Sequence, residues 1–335
     1  MSKRILITGL GGFIGAHVLD HLLINTDWYI IGIDSFRHKG LTDRITDSAI
    51  YQTNKDRVKI ITHDLLAPIS VIMAEEIGIV DYIINMASQS HVERSITDPV
   101  PFIQNNVWLV LNMLEYARLV KPAAFIQIST DEVYGPMYAN VPHKEWETML
   151  PSNPYSASKA AQEAIAISYW RSYGIPLVIT NTMNNFGERQ DPEKYLPNVI
   201  RKVIQAETVT VHGTTEDIGS RFWLHARNHA DALLWILNNT IPTLFPFGDK
   251  PDRYNIVGDR QINNLELAMH VAKILDKRLY YELVDFHSTR PGHDPHYGLD
   301  GAKLHSLGWK PPVDFESSLE TTIRWQQENP KWLRL

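Results

Sequence analysis

Three glycines near the amino terminus restrict what this chain can become. Ile5-Leu6-Ile7-Thr8 runs directly into Gly9-Leu10-Gly11-Gly12-Phe13-Ile14-Gly15. Glycine at 9, 12 and 15 permits a tight turn from a strand into a helix. It also lets the backbone come close to a pyrophosphate, while the helix start offers free N–H groups and a positive dipole end. Asp34 closes the next apolar run, where a carboxylate can accept hydrogen bonds from both hydroxyls of a ribose. The turn alone also fits an ordinary strand-to-helix connection. Its place after the first strand, with Asp34 following, points to a dinucleotide. A carboxylate there repels a 2′-phosphate, which favours NAD. Arg37, His38 and Lys39 read as a solvated basic loop. Asp64, in Thr62-His63-Asp64-Leu65, has two readings: a contact to adenine, or a helix N-cap.

The rest of the first half repeats the pattern. Arg4 to Thr8, Tyr29 to Asp34, Val58 to Thr62, Tyr82 to Met86, Ala124 to Ser129 and Leu177 to Thr182 read as strands. Amphipathic stretches at Gly15 to Leu23, Phe102 to Val120 and Ser156 to Tyr173 read as helices. Strands without strict polar alternation imply burial on both faces, hence a parallel sheet between two layers of helices. The expected fold class is α/β, a doubly wound Rossmann-type sheet with a smaller C-terminal α/β lobe. We expect residues 1–185 to form the NAD-binding domain with the catalytic residues. Residues 186–335, broken by many prolines, form a substrate lobe interleaved with the first.

Composition removes other classes. The 335 residues carry 32 basic and 38 acidic side chains, a formal net charge of -6, so nothing draws the chain to nucleic acid or an anionic membrane. With no cysteine there are no disulfides and no thiolate chemistry. The first apolar run is too short for a signal peptide, and no stretch approaches a membrane span of ~20 residues. A cytoplasmic protein is expected.

Two further segments carry chemistry. Tyr155 and Lys159, in Asn153-Pro154-Tyr155-Ser156-Ala157-Ser158-Lys159, share one helix face by i, i+4 spacing. A nearby ammonium lowers a phenol pKa, so the pair is expected to give a tyrosine base. Ser129-Thr130-Asp131-Glu132-Val133-Tyr134-Gly135 ends an intervening strand with two adjacent acids. Adjacent acids on a turn are usually solvated. Following a threonine placed to hold a reacting hydroxyl, they suit an acid and a base that divide the roles in eliminating water.

These segments resemble the nucleotide-sugar 4,6-dehydratases of the extended short-chain dehydrogenase/reductase type, most closely the branch acting on dTDP-glucose. The resemblance extends over Ser88 to Ser95, Asn184-Asn185-Phe186-Gly187, Pro192-Glu193-Lys194, Arg221-Phe222-Trp223 and Arg290-Pro291-Gly292-His293-Asp294. It implies a mechanism. Tyr155 takes the C4 hydroxyl proton as hydride leaves C4 for NAD, with Thr130 on that hydroxyl. Glu132 removes the C5 proton, Asp131 protonates the departing C6 hydroxyl, and hydride returns at C6. Lys159 completes the catalytic set. The implied dinucleotide contacts are Gly9, Gly12, Phe13, Ile14, Gly15, Asp34, Ser35, Asp64, Leu65, Ala87, Ser88, Tyr155, Lys159 and Asn185. Those to the nucleotide-diphosphate sugar are Ser90, Thr130, Asn184, Lys194, Arg221, Asn255, Arg290, His293 and Tyr297. A homodimer through helices around 102–119 and 156–173 is implied as well.

The chain departs from the family pattern at Gln89 (usually glutamate), at Arg227-Asn228-His229 (usually acidic before the histidine), at His212 (commonly aromatic) and at Gly219-Ser220, which lengthens a loop. No metal is expected: His287, His293 and His296 lack a helical pair with a neighbouring acid. Trp108, Tyr116 and Trp170 read as core or as a helix-helix dimer face. A 4-epimerase or uronate decarboxylase on the same scaffold would not need the Asp131–Glu132 pair. A dinucleotide-sensing regulator would not need Tyr155 and Lys159.

Overall fold

The computed structural model describes residues 2–137, 140–285 and 296–335. Its largest element is a seven-stranded sheet built from β1 (Arg4–Thr8), β2 (Tyr29–Asp34), β3 (Val58–Thr62), β4 (Tyr82–Asn85), β5 (Ala124–Thr130), β6 (Leu177–Thr182) and Asp252–Ile256. The strand order places Asp252–Ile256 at one edge, followed by β6, β5, β4, β1, β2 and β3, and every pairing is parallel. This is the doubly wound sheet expected from the apolar runs.

Burial on both faces is visible within single strands. Ile5 and Ile7 pack into one core cluster and Leu6, between them, into another. The first core holds α1 (Phe13–Asn25) and the helix Ala226–Asn239. The second holds the long helices Pro99–Val120 and Pro154–Tyr173. The chain leaves β1 toward β2 and β3, then crosses back to β4, β5 and β6. That reversal opens a crevice at the carboxyl ends of β1 and β4, the usual ligand position in such sheets.

The smaller lobe has two sheets. β7 (Asn184–Phe186), β9 (Ser220–His225) and β11 (Gln261–Asn263) form one; β8 (Thr208–His212) pairs in parallel with β12 (Tyr280–Val284) in the other. Between them in sequence, β10 (Asp252–Ile256) returns to the large sheet and pairs with β6. The helices flanking the site are α2 (Val92–Thr97), α3 (Pro99–Val120), α4 (Pro154–Tyr173), α5 (Tyr195–Ile204) and α6 (Ala226–Asn239). Tyr116 and Trp170 are core, whereas Trp108 on α3 is 51% exposed. Among the described residues, no helix is long and apolar enough to cross a membrane.

Candidate active site

The glycine turn sits at the crevice. Gly9 has φ +73°, a left-handed backbone that favours glycine, and its N–H donates to Ile33 O at 2.7 Å. At Gly15 a Cβ would lie 2.2 Å from Gly9 O, so the first turn of α1 can close on the strand end only without a side chain. Gly12 is the N-cap of α1 and supplies no side-chain cap, which leaves the helix-start amides to face a ligand. Phe13 and Ile14 are half-buried beside it. Asp34, at the end of β2, accepts from Gly11 N and Phe36 N, both at 2.9 Å. Ser35 Oγ accepts from Arg37 N.

The basic loop after β2 is largely exposed, as expected, and its side chains also form ion pairs. Arg37 pairs with Asp64 at 2.6 Å, and Lys39 bridges Asp191 at 2.9 Å and Glu193 at 3.1 Å. His38 Nε2 meets Gln89 Nε2 at 3.0 Å. Glu193 also pairs with Arg94 of α2 at 2.9 Å, so a polar strap joins the β2 loop, α2 and the segment before α5. Asp64 caps a turn through Leu66 N at 3.1 Å rather than a helix. Leu65 is buried, and its carbonyl accepts from Asn112.

After β4, the Ala87 amide donates to Thr8 Oγ1 at 3.0 Å and Ser88 Oγ donates to Gln89 O at 3.2 Å. Asn106 of α3 clamps this loop. It accepts from Gln89 N at 2.9 Å and donates to Gln89 O at 3.0 Å and to Ser158 Oγ at 2.8 Å. Ser90 is exposed just beyond.

At the end of β5 the predicted catalytic residues come together. The Thr130 hydroxyl donates to Asp131 Oδ1 at 2.8 Å and accepts from Glu132 N, capping the short 3₁₀ helix Asp131–Tyr134. Asp131 is 2% exposed, its Oδ2 has no hydrogen-bond partner, and burial pushes its carboxyl up to about 6. Glu132 Oε2 accepts from Asn153 Nδ2 at 3.2 Å. Burial, reinforced by the Asp131 charge, pushes Glu132 up to about 7. Arg221 acts on both acids in the opposite sense, and Lys194 acts so on Glu132.

Tyr155 opens α4 facing this pair. Asn153 caps the helix reciprocally with Ser156, Pro154 takes the first turn, and Tyr155 N donates to Ser95 Oγ at 3.2 Å. The expected lowering of the phenol by Lys159 is not what the structure gives. Burial and the charges of Glu132 and Asp131 hold Tyr155 well above the ordinary phenol value, with a Thr130 hydrogen bond pulling the other way. Lys159 Nζ instead donates to Ile128 O and Gln162 Oε1, each at 2.6 Å, and burial lowers it to about 8.

In the smaller lobe the expected residues divide. Arg221 is buried, donates to Ser220 O at 2.8 Å and lies 4.8 Å from the centre of the buried Tyr297 ring. Burial lowers Lys194, which Glu132 draws the other way. Asn184 is half-buried on β7. Asn185 donates to Met183 O at 2.9 Å and meets His229 Nδ1 at 3.2 Å. Asn255 departs from expectation. It is fully buried on β10, and its amide donates to His143 O at 3.0 Å and Asp300 O at 3.1 Å, so it ties framework segments together. Arg290 and His293 lie outside the described residues. Among the described residues no group of three or more potential ligands could hold a metal ion. Asn153 and Ser95, which support Glu132 and Tyr155, escaped the sequence reading. The Asn-Pro pair opening an apolar helix was the available signal for Asn153.

A doubly wound sheet, a glycine turn at its switch point and a Tyr-x-x-x-Lys helix beside a strand-end threonine define a short-chain dehydrogenase/reductase. A family model described as GDP-mannose 4,6 dehydratase matches residues 6–322. A dTDP-glucose 4,6-dehydratase from Escherichia coli is 32% identical over 361 residues, covering 98% of this chain and 95% of the relative. The chain belongs to the nucleotide-sugar 4,6-dehydratase family. A solved dTDP-glucose 4,6-dehydratase of Streptomyces venezuelae, with NAD bound, is 30% identical and superposes with a TM-score of 0.85, covering 98% of both chains. A UDP-glucose 4-epimerase of Thermus thermophilus, complexed with NAD, is 25% identical with a TM-score of 0.83, covering 97% of this chain and 99% of that one. The fold is thus shared with a UDP-glucose 4-epimerase.

Proposed function

We propose that the chain converts dTDP-glucose to the dTDP-4-keto-6-deoxy sugar with loss of one water, using bound NAD. The observation that carries this reading is the Asp131–Glu132 pair beside Thr130 and Tyr155, Asp131 buried and Glu132 half-buried, with both carboxyls pushed above the usual carboxylate range. Elimination across C5–C6 needs one group to give a proton and another to take one, and an epimerase needs neither. The chain fits NAD: α1 starts without a side-chain cap, and Asp34 presents a carboxylate at the end of β2. Gly9, Gly12, Phe13, Ile14 and Gly15 would hold the pyrophosphate, with Asp34 and Ser35 at the adenosine ribose. Asp64 and Leu65 would lie at adenine, and Ala87, Ser88, Lys159 and Asn185 toward the nicotinamide end. NAD held there would supply a hydride acceptor for C4 and a donor for C6, so the net change is loss of water.

The chain's own residues move the protons. Tyr155, in the phenolate form that burial and the two acids disfavour, takes the proton of the C4 hydroxyl, which Thr130 orients. Glu132, its carboxylate held by the Asn153 amide, takes the C5 proton that the new ketone has acidified. Asp131, with the unpartnered Oδ2, gives its proton to the C6 hydroxyl, which departs as water, and the proton held by Glu132 returns to C5 once C6 has been reduced. Arg221 and Lys194 meet the diphosphate.

The two-lobed division at 185/186 and a cytoplasmic setting are part of this reading. So is a homodimer through α3 and α4. Its support is the apolar surface these helices leave outside, with Val100 59%, Trp108 51% and Tyr173 51% exposed.

The test is incubation with dTDP-glucose and with UDP-, CDP- and GDP-hexoses, reading product masses. Loss of one water from dTDP-glucose is expected. Inversion at C4 with no loss of water from any of them would replace this reading with epimerisation. In deuterated water, Asp131→Asn should exchange the C5 hydrogen without losing C6 oxygen, and Glu132→Gln should not exchange it; the reverse pattern reverses the roles.

A further inference from the structure

Lys159 is held by a residue that takes no part in the chemistry above. Gln162, on the next turn of α4 and fully buried, accepts from Lys159 Nζ at 2.6 Å. Its orientation is set by its other end, since Nε2 donates to Asn106 O at 2.8 Å and the amide oxygen must face the ammonium. The same oxygen accepts from Gln127 Nε2 at 3.2 Å. Gln127 Oε1 accepts from Asn85 Nδ2 at 2.9 Å, and Asn85 Oδ1 accepts from Thr8 Oγ1 at 2.8 Å. Thr8 Oγ1 accepts from the amides of Met86 and Ala87, each at 3.0 Å. A buried chain of side-chain amides thus crosses β5, β4 and β1. It runs from the lysine to the strand ends that open the glycine turn and the 86–89 loop.

We propose that Gln162 is a positioning residue for Lys159, fixing its ammonium and, through Gln127, Asn85 and Thr8, tying it to the loops at the carboxyl ends of β1 and β4. The proposal rests on Lys159 belonging to the active site. A neutral amide suits the task. It stabilises the ammonium with a charge-assisted hydrogen bond yet leaves the charge unneutralised for a ligand. The charged neighbour acting on Lys159 is Glu163, which favours the ammonium. Its carboxylate is already engaged by Arg253 and by Asn181 Nδ2. An apolar side chain at 162 would leave one ammonium hydrogen without its partner and would remove the side-chain donor from Asn106 O.

The test follows carbamylation of Lys159 by cyanate, which attacks only the unprotonated amine, on the purified enzyme across pH by peptide mass. Gln162→Met keeps the volume and removes the acceptor. Lys159 should then react roughly five- to ten-fold faster near neutral pH, equivalent to a pKa lower by up to about one unit. Gln162→Glu should slow the reaction by a similar factor. The limb of the kcat profile that Lys159 controls should move in the same two directions, with KM for the nucleotide sugar within about two-fold. Wild-type carbamylation rates and pH dependence in both variants would overturn the proposal. If Gln162→Met fails to fold, Gln162→Glu alone decides, because only an acceptor facing the ammonium slows the reaction. Lys159→Met separates the two claims. Full turnover in that variant removes Lys159 from the chemistry but leaves the carbamylation result on Gln162 standing.

Discussion

Asp131→Asn should gain stability relative to the wild type as pH rises, while slowing the chemistry. The folded carboxyl is pushed up from 3.8 to about 6 by burial, with Oδ2 unpartnered. The folded state therefore binds this proton more tightly than the unfolded chain. The cost of the buried carboxylate is absent below 3.8, grows as pH rises, and is complete above about 6. A shift of roughly two units at about 1.4 kcal/mol each gives a cost of about 3 kcal/mol at high pH. Asparagine keeps an oxygen for the Thr130 hydroxyl and cannot ionise. Its buried N–H₂ lacks a partner, at a cost of about 1–3 kcal/mol that does not vary with pH. The difference between variant and wild type should thus climb by about 2 kcal/mol between about pH 4 and about pH 8. Losing the Asp131 charge also relieves Glu132, in the same direction. In thermal melts this is a shift of a few °C. Dehydration should fall by about 10²–10⁴-fold. A melting difference constant across pH, or one that turns against the variant as pH rises, would refute the reasoning.

Tyr155→Phe keeps the ring and should lower turnover by roughly 10²–10⁴-fold with nucleotide-sugar affinity preserved; isothermal titration and steady-state kinetics check it. Glu163→Gln strands the buried Arg253 and should destabilise by about 3–5 kcal/mol, whereas adding Arg253→Met should recover most of this in denaturant melts. Nucleotide released on denaturing the purified protein should be NAD(H), since Asp34 faces the site; mainly NADP(H) would refute that argument. Trp108→Glu should shift a dimer toward monomer in light scattering, because Trp108 lies half-exposed on α3.

The first six strands were legible because each is an apolar run, five of them largely buried and β3, at the sheet edge, burying Ile61. The seventh, β10, was not, because its sequence Asp-Arg-Tyr-Asn-Ile reads as polar. Arg253 can be buried there only because Glu163, 90 positions earlier, meets it, and no local pattern shows such a partner. The same holds for the ion pairs of Arg37 and Lys39: both side chains stay largely exposed, but nothing local shows that Asp64, Asp191 and Glu193 come beside them. The Asp131–Glu132 and Tyr155–Lys159 pairs were legible because adjacency and helical spacing act locally. What Lys159 does to Tyr155 was not: spacing puts the two on one helix face, but packing decides that the ammonium turns to Ile128 O and Gln162.

Burial acts on every titrating group of the site in one sense. It raises the carboxyls of Asp131 and Glu132, raises the phenol of Tyr155 and lowers the ammonium of Lys159, each toward its neutral form. Arg221 opposes this at both acids and Lys194 at Glu132, and in the proposed reading these two cations meet the substrate diphosphate. An anion placed against them cancels the influence that lowers the acids. The occupied site would then hold the acid proton more firmly than the free one, so the group that must protonate the leaving hydroxyl is charged with its proton by the arrival of the substrate.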